Sequence, residues 1–347
     1  MAVALASGSI HTCALISDRT VKCWGDNPYG QLGDGSTGDR DTPVEVSGLI
    51  GNVTAIATGL RHTCAVTDAG GVECWGRNNW GQLGDESLND RLSPVAVRHL
   101  PHKAAAIAAG SFHTCALSTE GGVMCWGDND MNQLGGATAD SYSDVPLDVP
   151  SLTQNVVAIT AGAFQTCALT SDGGVKCWGE TNSTPVDVPG LTRGVIAVSS
   201  GFFHSCAITA SGGVLCWGDN SSSQLGDGSN TDSSTPVQVS GLPSGISAIS
   251  AGALHTCALS SSGGVMCWGD NSSGQLGNGT MTDSAMPVAV TGLSNGVTAV
   301  ASGSLHSCAL EKTGDVKCWG KNISGQLGNS SRADSMLPVD VEGLGDE

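Results

Sequence analysis

The chain has 347 residues, among them 50 glycines and 14 cysteines, and its 32 acidic and 14 basic residues give a formal net charge of −18. Nucleic-acid and anionic-membrane surfaces need clustered Lys and Arg, so this balance argues against both and favours solubility or a basic partner. No stretch approaches the run of about 18 apolar residues typical of a transmembrane helix, so we expect no membrane insertion.

The first eight residues are briefly apolar, as in a signal peptide. They align instead with residues 296–303 of the last repeat, so we interpret them as structure, with Met1 in the place of a glycine. On this interpretation the chain starts where a signal peptide or a larger protein was cut off.

One pattern recurs seven times: a Cys, nine residues, and then Cys-Trp-Gly. The pattern includes every cysteine of the chain and pairs Cys13 with Cys23, Cys64 with Cys74, Cys115 with Cys125, Cys167 with Cys177, Cys206 with Cys216, Cys257 with Cys267 and Cys308 with Cys318. The repeats are close to 51 residues long, except for the fourth, which lacks about a dozen residues between Trp178 and Pro185. Repeats of this length that bury their faces only against neighbours form one array, so we expect a single domain.

A full repeat contains four short apolar runs separated by Gly, Asn, Asp or Pro. In the last repeat these runs are residues 297–303, 305–310, 316–320 and 337–341. Their length and alternation are typical of β-strands, and four strands per unit of about 40–50 residues predict a propeller blade. The sequence thus predicts an all-β, seven-bladed propeller with four-stranded antiparallel blades. The predicted blades are residues 1–49, 50–100, 101–152, 153–191, 192–242, 243–293 and 294–347.

The second and third strands of each unit should form a hairpin. In the first unit Asp18 is equidistant from Cys13 and Cys23, so the two cysteines should oppose one another within disulfide distance. We therefore predict one disulfide in every blade. Buried free thiols are the alternative, and a zinc site fits the spacing less well. An even number of regularly paired cysteines indicates an oxidising, extracellular or cell-surface location.

Three motifs carry a family resemblance: Gly252-Ala-Leu-His-Thr-Cys-Ala-Leu259, Gly263-Gly-Val-Met-Cys-Trp-Gly269 and Asn271-Ser-Ser-Gly-Gln-Leu-Gly277. Across the whole chain they resemble the repeat of the regulator of chromosome condensation family. The resemblance implies a seven-bladed propeller, and the extra cysteines resemble those of its secreted and surface-anchored bacterial members.

The resemblance does not imply one activity. Members that exchange nucleotide on a small GTPase use an inserted β-wedge and a basic tail, which this sequence does not offer. A photoreceptor member uses tryptophans near the two positions before the motif His, where this chain has none. A secreted bacterial member that inhibits β-lactamases grips its target with aromatic loops, and it is the most useful comparison.

The residue before the motif His, or before its Gln counterpart, is apolar in six of the seven repeats. We call this set the crown residues: Ile10, Arg61, Phe112, Phe164, Phe203, Leu254 and Leu305. They sit at the turn between the first and second strands, at one end of each blade, and Leu60 and Phe202 lie one position earlier. A contiguous apolar surface there would bind a partner, whereas side chains tucked between blades would serve packing.

The loops between the third and fourth strands should lie on the same face, because strands alternate in direction. Their variable positions are Pro28, Tyr29, Asn79, Trp80, Asp130, Met131, Asn220, Asn271 and Ile323. Among these, Tyr29 and Trp80 are the strongest candidate anchors for a partner. The alternative is that all of them are ordinary exposed loop residues.

Several recurring residues are interpreted as structural. They are the motif His residues and their Gln counterpart (His11, His62, His113, Gln165, His204, His255, His306) and the core Trp residues (Trp24, Trp75, Trp126, Trp178, Trp217, Trp268, Trp319). Loops such as residues 26–28, 33–35 and 226–228 offer oxygen ligands suited to Ca²⁺, but turn chemistry explains them without a metal. We predict no cofactor and no metal.

The sequence contains no catalytic motif that we recognise. It therefore favours a monomeric, non-enzymatic, extracellular module that binds a protein partner through the crown face. The alternative is a structural or spacer domain of a larger bacterial surface protein, and an enzyme or a photoreceptor is less favoured. The short fourth repeat should open a notch beside residues 181–183, which would give a partner a single rotational register on a nearly sevenfold surface.

Overall fold

A computed structural model of the chain describes residues 1–136, 138–180 and 182–344. These residues form seven four-stranded antiparallel sheets, each made of four consecutive strands. The prediction of an all-β, seven-bladed propeller is confirmed. In the parts of the chain that are described, no helix is long and apolar enough to cross a membrane.

The strands run in chain order from the channel to the rim of each blade. Blades 1 and 2 contain β1 (Ala2–Ser7), β2 (His11–Ile16), β3 (Val21–Gly25), β4 (Arg40–Glu45), β5 (Val53–Thr58), β6 (His62–Thr67), β7 (Val72–Gly76) and β8 (Arg91–Ala96). Blades 3 and 4 contain β9 (Ala104–Ala109), β10 (His113–Ser118), β11 (Val123–Asp128), β12 (Tyr142–Asp148), β13 (Val156–Ala161), β14 (Gln165–Thr170), β15 (Val175–Gly179) and β16 (Asn182–Asp187). Blades 5 to 7 contain β17 (Val195–Ser200), β18 (His204–Thr209), β19 (Val214–Gly218), β20 (Ser233–Gln238), β21 (Ile246–Ala251), β22 (His255–Ser260), β23 (Val265–Gly269), β24 (Ser284–Ala289), β25 (Val297–Ser302), β26 (His306–Glu311), β27 (Val316–Gly320) and β28 (Ser335–Asp340).

The fourth strand begins earlier than the apolar pattern of the last repeat suggested. In the last blade it starts at Ser335, and Pro338 is its fourth residue, where the sequence placed the strand start near Leu337. The proline is tolerated because this strand is the outer edge of the sheet, where a missing N–H breaks no ladder bond. The strand begins at Ser335 because Ser335 pairs with Gly320 through the backbone, which does not need an apolar side chain.

The cysteines oppose one another across the second and third strands, as the hairpin symmetry predicted. In every blade the two cysteines are register partners and are disulfide-bonded, with Cα atoms 4.1 Å apart. The seven bonds join Cys13 to Cys23, Cys64 to Cys74, Cys115 to Cys125, Cys167 to Cys177, Cys206 to Cys216, Cys257 to Cys267 and Cys308 to Cys318. No free cysteine is found in the described chain, so the predicted pairing is confirmed and the alternative of buried free thiols is wrong.

The hydrophobic core is divided into seven clusters, one between each pair of neighbouring blades. Each cluster joins the disulfide of one blade to the Trp of the next. In the closing cluster Trp24 of the first blade packs with Cys308 and Cys318 of the last. The ring therefore closes by packing between blades 1 and 7, and no sheet combines strands from both ends of the chain. This agrees with a sequence in which the first repeat starts at a first strand and the last ends after a fourth.

Candidate binding face

The crown turns and the loops between third and fourth strands meet on one face. Arg61 donates a hydrogen bond from Nη1 to the Tyr29 hydroxyl at 2.9 Å, and its guanidinium lies 4.9 Å from the centre of the Tyr29 ring. Arg77 stacks on the same ring at 4.9 Å and lies 5.6 Å from the ring of Phe112. Crown residues and loop residues of the first three blades thus form one continuous cluster.

A second cluster consists of three aromatic side chains. The rings of Phe164 and Phe203 are 6.2 Å apart, and those of Phe202 and Phe203 are 6.1 Å apart. Phe203 is 42% exposed, whereas Phe164 and Phe202 are half-buried. Phe202 also reaches the mouth of the central channel, where Leu60 lies as well. An exposed ring supported by two others is the kind of surface that binds an apolar group.

The crown residues are neither core nor fully solvated. Phe203 is exposed, and the other six (Ile10, Arg61, Phe112, Phe164, Leu254, Leu305) are half-buried. A half-buried side chain still presents surface to a partner. The crown therefore contributes to packing and remains accessible from the same face.

The candidate residues in the loops between third and fourth strands differ in exposure to solvent. Pro28, Asn79, Asp130, Met131 and Ile323 are exposed, and Tyr29 and Trp80 are half-buried. Asn220 and Asn271, in contrast, are fully buried.

The buried asparagines shape the loops and are not available to a partner. The Asn271 amide donates to the carbonyls of Thr280 and Thr282, and its Oδ1 accepts from the Leu276 N–H. The prediction that Asn220 and Asn271 lie at the surface was therefore wrong. A short polar side chain can form hydrogen bonds with buried backbone groups as readily as with water.

The acidic loop residues are engaged in turns. Asp34 accepts from the Ser36 N–H and hydroxyl through Oδ1 and from Arg40 through Oδ2. Among the described residues, no three His, Cys, Asp or Glu side chains come together as a metal site. These contacts agree with the interpretation of the loops as turn chemistry.

The motif histidines form a ring of hydrogen bonds between blades. Each His Nε2 lies 2.7–3.0 Å from a Thr or Ser hydroxyl of the next blade. The pairs are His11 with Thr63, His62 with Thr114, His113 with Thr166, His204 with Thr256, His255 with Ser307 and His306 with Thr12. In the fourth blade the Gln165 amide donates to Ser205 at 3.0 Å, which explains why Gln replaces His there.

The partners of the hydroxyl fix the histidine tautomer. Thr63 donates its only hydroxyl hydrogen to the Gln31 carbonyl, so it must accept a hydrogen from His11 Nε2. Nδ1 of His11 is then unprotonated and buried without a hydrogen-bond partner among the described residues. A second proton would have no acceptor, and burial lowers the pKa of these histidines to about 3 or 4.

The core tryptophans are fixed by the loop of the preceding blade. In six interfaces the indole Nε1 donates to the backbone carbonyl of a Gln in a Gln-Leu-Gly segment, at 2.8–3.0 Å. The pairs are Trp24 with Gln326, Trp75 with Gln31, Trp126 with Gln82, Trp178 with Gln133, Trp268 with Gln224 and Trp319 with Gln275. This role of the Gln carbonyl was missed from the sequence, although the recurrence of Gln-Leu-Gly in six repeats was the available signal.

The fourth blade lacks that segment. Fourteen residues separate Gly25 from Arg40, its register partner in the first blade, but only two separate Gly179 from Asn182. The resulting cleft of about 470 Å³ is lined by Glu180, Phe203 and residues 218–219 and 232–234. We call this cleft the notch. Its lining residue Glu180 adjoins residues 181–183, where the sequence predicted a notch, and residue 181 itself is outside the described residues.

The comparisons with known proteins agree on one family. The model described as "Regulator of chromosome condensation (RCC1) repeat" matches the chain in two forms. One covers residues 2–31, 53–82, 104–133, 156–183, 195–224, 246–275 and 297–326, and the other covers residues 21–66, 69–117, 120–169, 211–259, 262–310 and 313–347.

Three similar proteins illustrate the range of this family. The Ultraviolet-B receptor UVR8 of Arabidopsis thaliana is 32% identical over 97% of this chain and 69% of its own length. The E3 ubiquitin-protein ligase HERC2 of Homo sapiens is 34% identical over 88% of this chain, which spans only 6% of that relative. The crystal structure of Prp20p from Saccharomyces cerevisiae is 24% identical, with a TM-score of 0.85 over 95% of this chain and 87% of its own, and shows the fold alone.

We predict that acid destabilises the propeller through the histidine ring. The folded-state pKa of His113 is about 4 and its ordinary value is 6.5, so below pH 6.5 the unfolded chain binds protons more readily. The contribution of each neutral, buried histidine to the unfolding free energy is therefore fully present above pH 6.5. It is lost as the pH drops toward 4, by at most about 1.4 kcal/mol per pH unit for each histidine. Replacing His113→Gln, on the pattern of Gln165, should reduce the contribution of the six buried histidines to the pH dependence of the unfolding free energy by about one-sixth. An unchanged slope between pH 6.5 and 4.5 would contradict the uptake of a proton by His113 on unfolding.

We also predict that two equivalent tryptophans differ in their tolerance of Phe. Trp268 loses a hydrogen bond to the Gln224 carbonyl in Trp268→Phe, whereas Trp217 has no such partner in the described chain. Trp268→Phe should therefore cost about 1 kcal/mol more unfolding free energy than Trp217→Phe, because the loss of ring volume is the same in both. Guanidinium denaturation of the two variants measures the difference, and equal losses would show that the carbonyl bond does not matter.

Proposed function

This chain belongs to the regulator of chromosome condensation (RCC1) repeat family, and from that premise we propose that it is a non-enzymatic propeller that binds a protein partner through the crown face. The observation that carries the proposal is the accessible cluster of Phe164, Phe202 and Phe203 on the loop face. Aromatic side chains held in place by their neighbours are the residues that most often anchor a protein partner.

The relatives support protein binding as the general role. The structure of Prp20p is reported together with that protein's binding to Gsp1p and histones. No single partner carries over, since the relatives bind and act in different ways. This chain's charge of −18 favours a partner with a basic surface, through long-range attraction that accelerates encounter.

A secreted or surface location remains our proposal, and the seven disulfides support it. Structural disulfides persist in oxidising compartments and are rare in the cytosol. The bacterial, cysteine-containing subtype also stays a prediction, since the relatives named above are eukaryotic. We further propose that the propeller acts as a monomer.

A spacer domain is the second candidate, and the half-burial of six crown residues favours it, because those side chains also pack the ring. An enzyme is less favoured, because the buried histidines are committed to hydrogen bonds between blades. A photoreceptor resembling UVR8 is less favoured as well, because the seven core tryptophans are at most 7% exposed and are distributed one per blade.

The notch also bears on how a partner is oriented. Six interfaces present a full loop to the binding face, and one does not. We propose that this asymmetry selects a single rotational register for the partner. A surface with seven equal positions could not do so.

The crown proposal predicts that partner binding depends on the phenylalanines. Replacing Phe112, Phe164 and Phe203 with Ser should abolish capture of the partner from the source organism's culture medium, because the aromatic anchors are lost. Ile50→Ser is the matched control, since Ile50 is 76% exposed and lies in a connection on the opposite face. Binding that survives the triple substitution would contradict the proposal, and unfolding of the triple variant would assign these residues to the core.

If the notch sets the rotational register of the partner, closing the notch should weaken partner binding. The graft replaces residues 180–181 with a copy of residues 219–232, the segment that joins Gly218 to Ser233 in the fifth blade. The grafted protein should fold and bind the partner at least about tenfold more weakly, because the position unique to the ring is gone. An unchanged dissociation constant, measured by calorimetry, would refute the role of the notch.

A further inference from the structure

Each complete interface receives the same three-residue segment from the preceding blade. Between blades 5 and 6 the Gln224 carbonyl accepts from Trp268 Nε1 at 2.9 Å and from Thr256 Oγ1 at 3.0 Å. Leu225 is completely buried in the cluster that contains Trp268. Gly226 follows with φ +69°, and a side chain there would lie 2.5 Å from the indole nitrogen. A carbonyl, an aliphatic side chain and a glycine together complete the site.

The interface between blades 4 and 5 lacks all three groups. Trp217 is 7% exposed, yet its Nε1 has no hydrogen-bond partner in the part of the chain that the structure describes. The Ser205 hydroxyl, whose counterparts donate to a Gln carbonyl, lies 2.9 Å from the Ser200 hydroxyl instead. Trp217 Nε1 is not among the buried atoms that lack a hydrogen-bond partner, so it reaches solvent, and a carbonyl that arrives there replaces water as its acceptor.

The apolar part of this interface is also covered less completely than in the other six. The core cluster of this interface contains no leucine from a Gln-Leu-Gly segment. Cys177 is 8% exposed, although its counterparts are 0% exposed. Gly218, which lines the notch, is half-buried, while the equivalent Gly269 is buried beneath the Gln224 Cα. The notch is thus the empty position of a missing loop.

We propose that the notch binds a loop of a protein partner that presents a backbone carbonyl, an aliphatic side chain and a glycine in the arrangement of Gln-Leu-Gly. The carbonyl accepts from Trp217 Nε1, while Ser205 stays buried with its partners Gln165 and Ser200, and the aliphatic side chain covers the edge of the core beside Cys177. The inference rests on the proposed function, since it names the chemistry of the partner on the same face.

The rim of the notch adds selectivity for the residues that flank this segment. Glu180 and Asp232 are exposed there, beside the exposed ring of Phe203. A basic side chain next to the glycine would meet both carboxylates and the face of the ring. The partner loop is therefore expected to be apolar at its centre and positively charged at its edges.

A loop of this chain provides the probe. The ends of the segment 270–283 are adjacent, because Gly269 and Ser284 are register partners. A synthetic cyclic peptide of residues 270–283 should therefore keep the loop conformation. The matched control is the same peptide with Leu276→Asp, which retains the carbonyl but cannot enter an apolar site.

The measurement follows the indole N–H signals of the intact protein by nuclear magnetic resonance. The cyclic peptide should shift one of the eight Trp signals with a dissociation constant of about 0.01–1 mM, and Trp217→Phe should remove that signal. Trp217→Phe should also lower the affinity for the peptide by about fivefold, because the hydrogen-bond donor is lost. The grafted protein, whose notch is filled, should not bind the peptide at all.

Three results would overturn the inference: no shift of the Trp217 signal at millimolar peptide, equal binding of the Leu276→Asp peptide, or undiminished binding by the grafted protein. None of them depends on the natural partner. If the peptide binds but the triple Phe→Ser variant still captures its partner, the crown proposal fails and this one stands. If the partner requires the crown but the peptide does not bind, only this inference fails.

Discussion

In six of the seven interfaces, the backbone carbonyl of one glutamine couples a blade to the next. It accepts hydrogen bonds from two groups of the next blade, the indole of a Trp and the hydroxyl of a Thr or Ser. Gln31, for example, accepts from Trp75 and from Thr63, and Thr63 in turn accepts from His11 of the same blade as Gln31. The loop, the core and the channel-side ring of hydrogen bonds therefore meet at one atom. Because the carbonyl belongs to one blade and its donors to the next, the contact cannot form within a single repeat, and it helps make seven weak units one cooperative ring.

Much of this arrangement could be predicted from the sequence, and the disulfides show why. Cys13 and Cys23 oppose one another because hairpin register follows from counting residues, and the pattern of short alternating runs defines the blade. The face occupied by Tyr29, Arg61 and Phe112 was predictable in the same way, because consecutive strands alternate in direction. Local periodicity and topology were sufficient for each of these features.

The burial of loop residues and their hydrogen bonds were not predicted, because they depend on which groups the folded chain brings together. Asn271 is polar and lies in a variable loop, yet it is buried and satisfies the loop backbone. The exposure of Phe203 and the half-burial of Phe112 depend on neighbours that are far away in the sequence. The carbonyl of Gln31 is a backbone group, so the recurrence of Gln-Leu-Gly marks the segment, but the bonds to Trp75 and Thr63 are visible only when the adjacent blade is in place.

The short fourth blade shows how a repeat protein gains a distinctive site by losing residues. Deleting one loop removes a carbonyl and a leucine from a single interface but leaves the donors of the next blade, Trp217 and Ser205, where they are. The disulfide and the antiparallel ladder of that blade remain, so the ring still closes. Because the local stability lost there can be regained by a ligand of the same shape, binding at the notch and stabilisation of the ring are thermodynamically linked. A partner loop that binds the folded notch must therefore raise the unfolding temperature of the propeller. The grafted loop does the same only if its contacts outweigh the entropy cost of ordering the added residues.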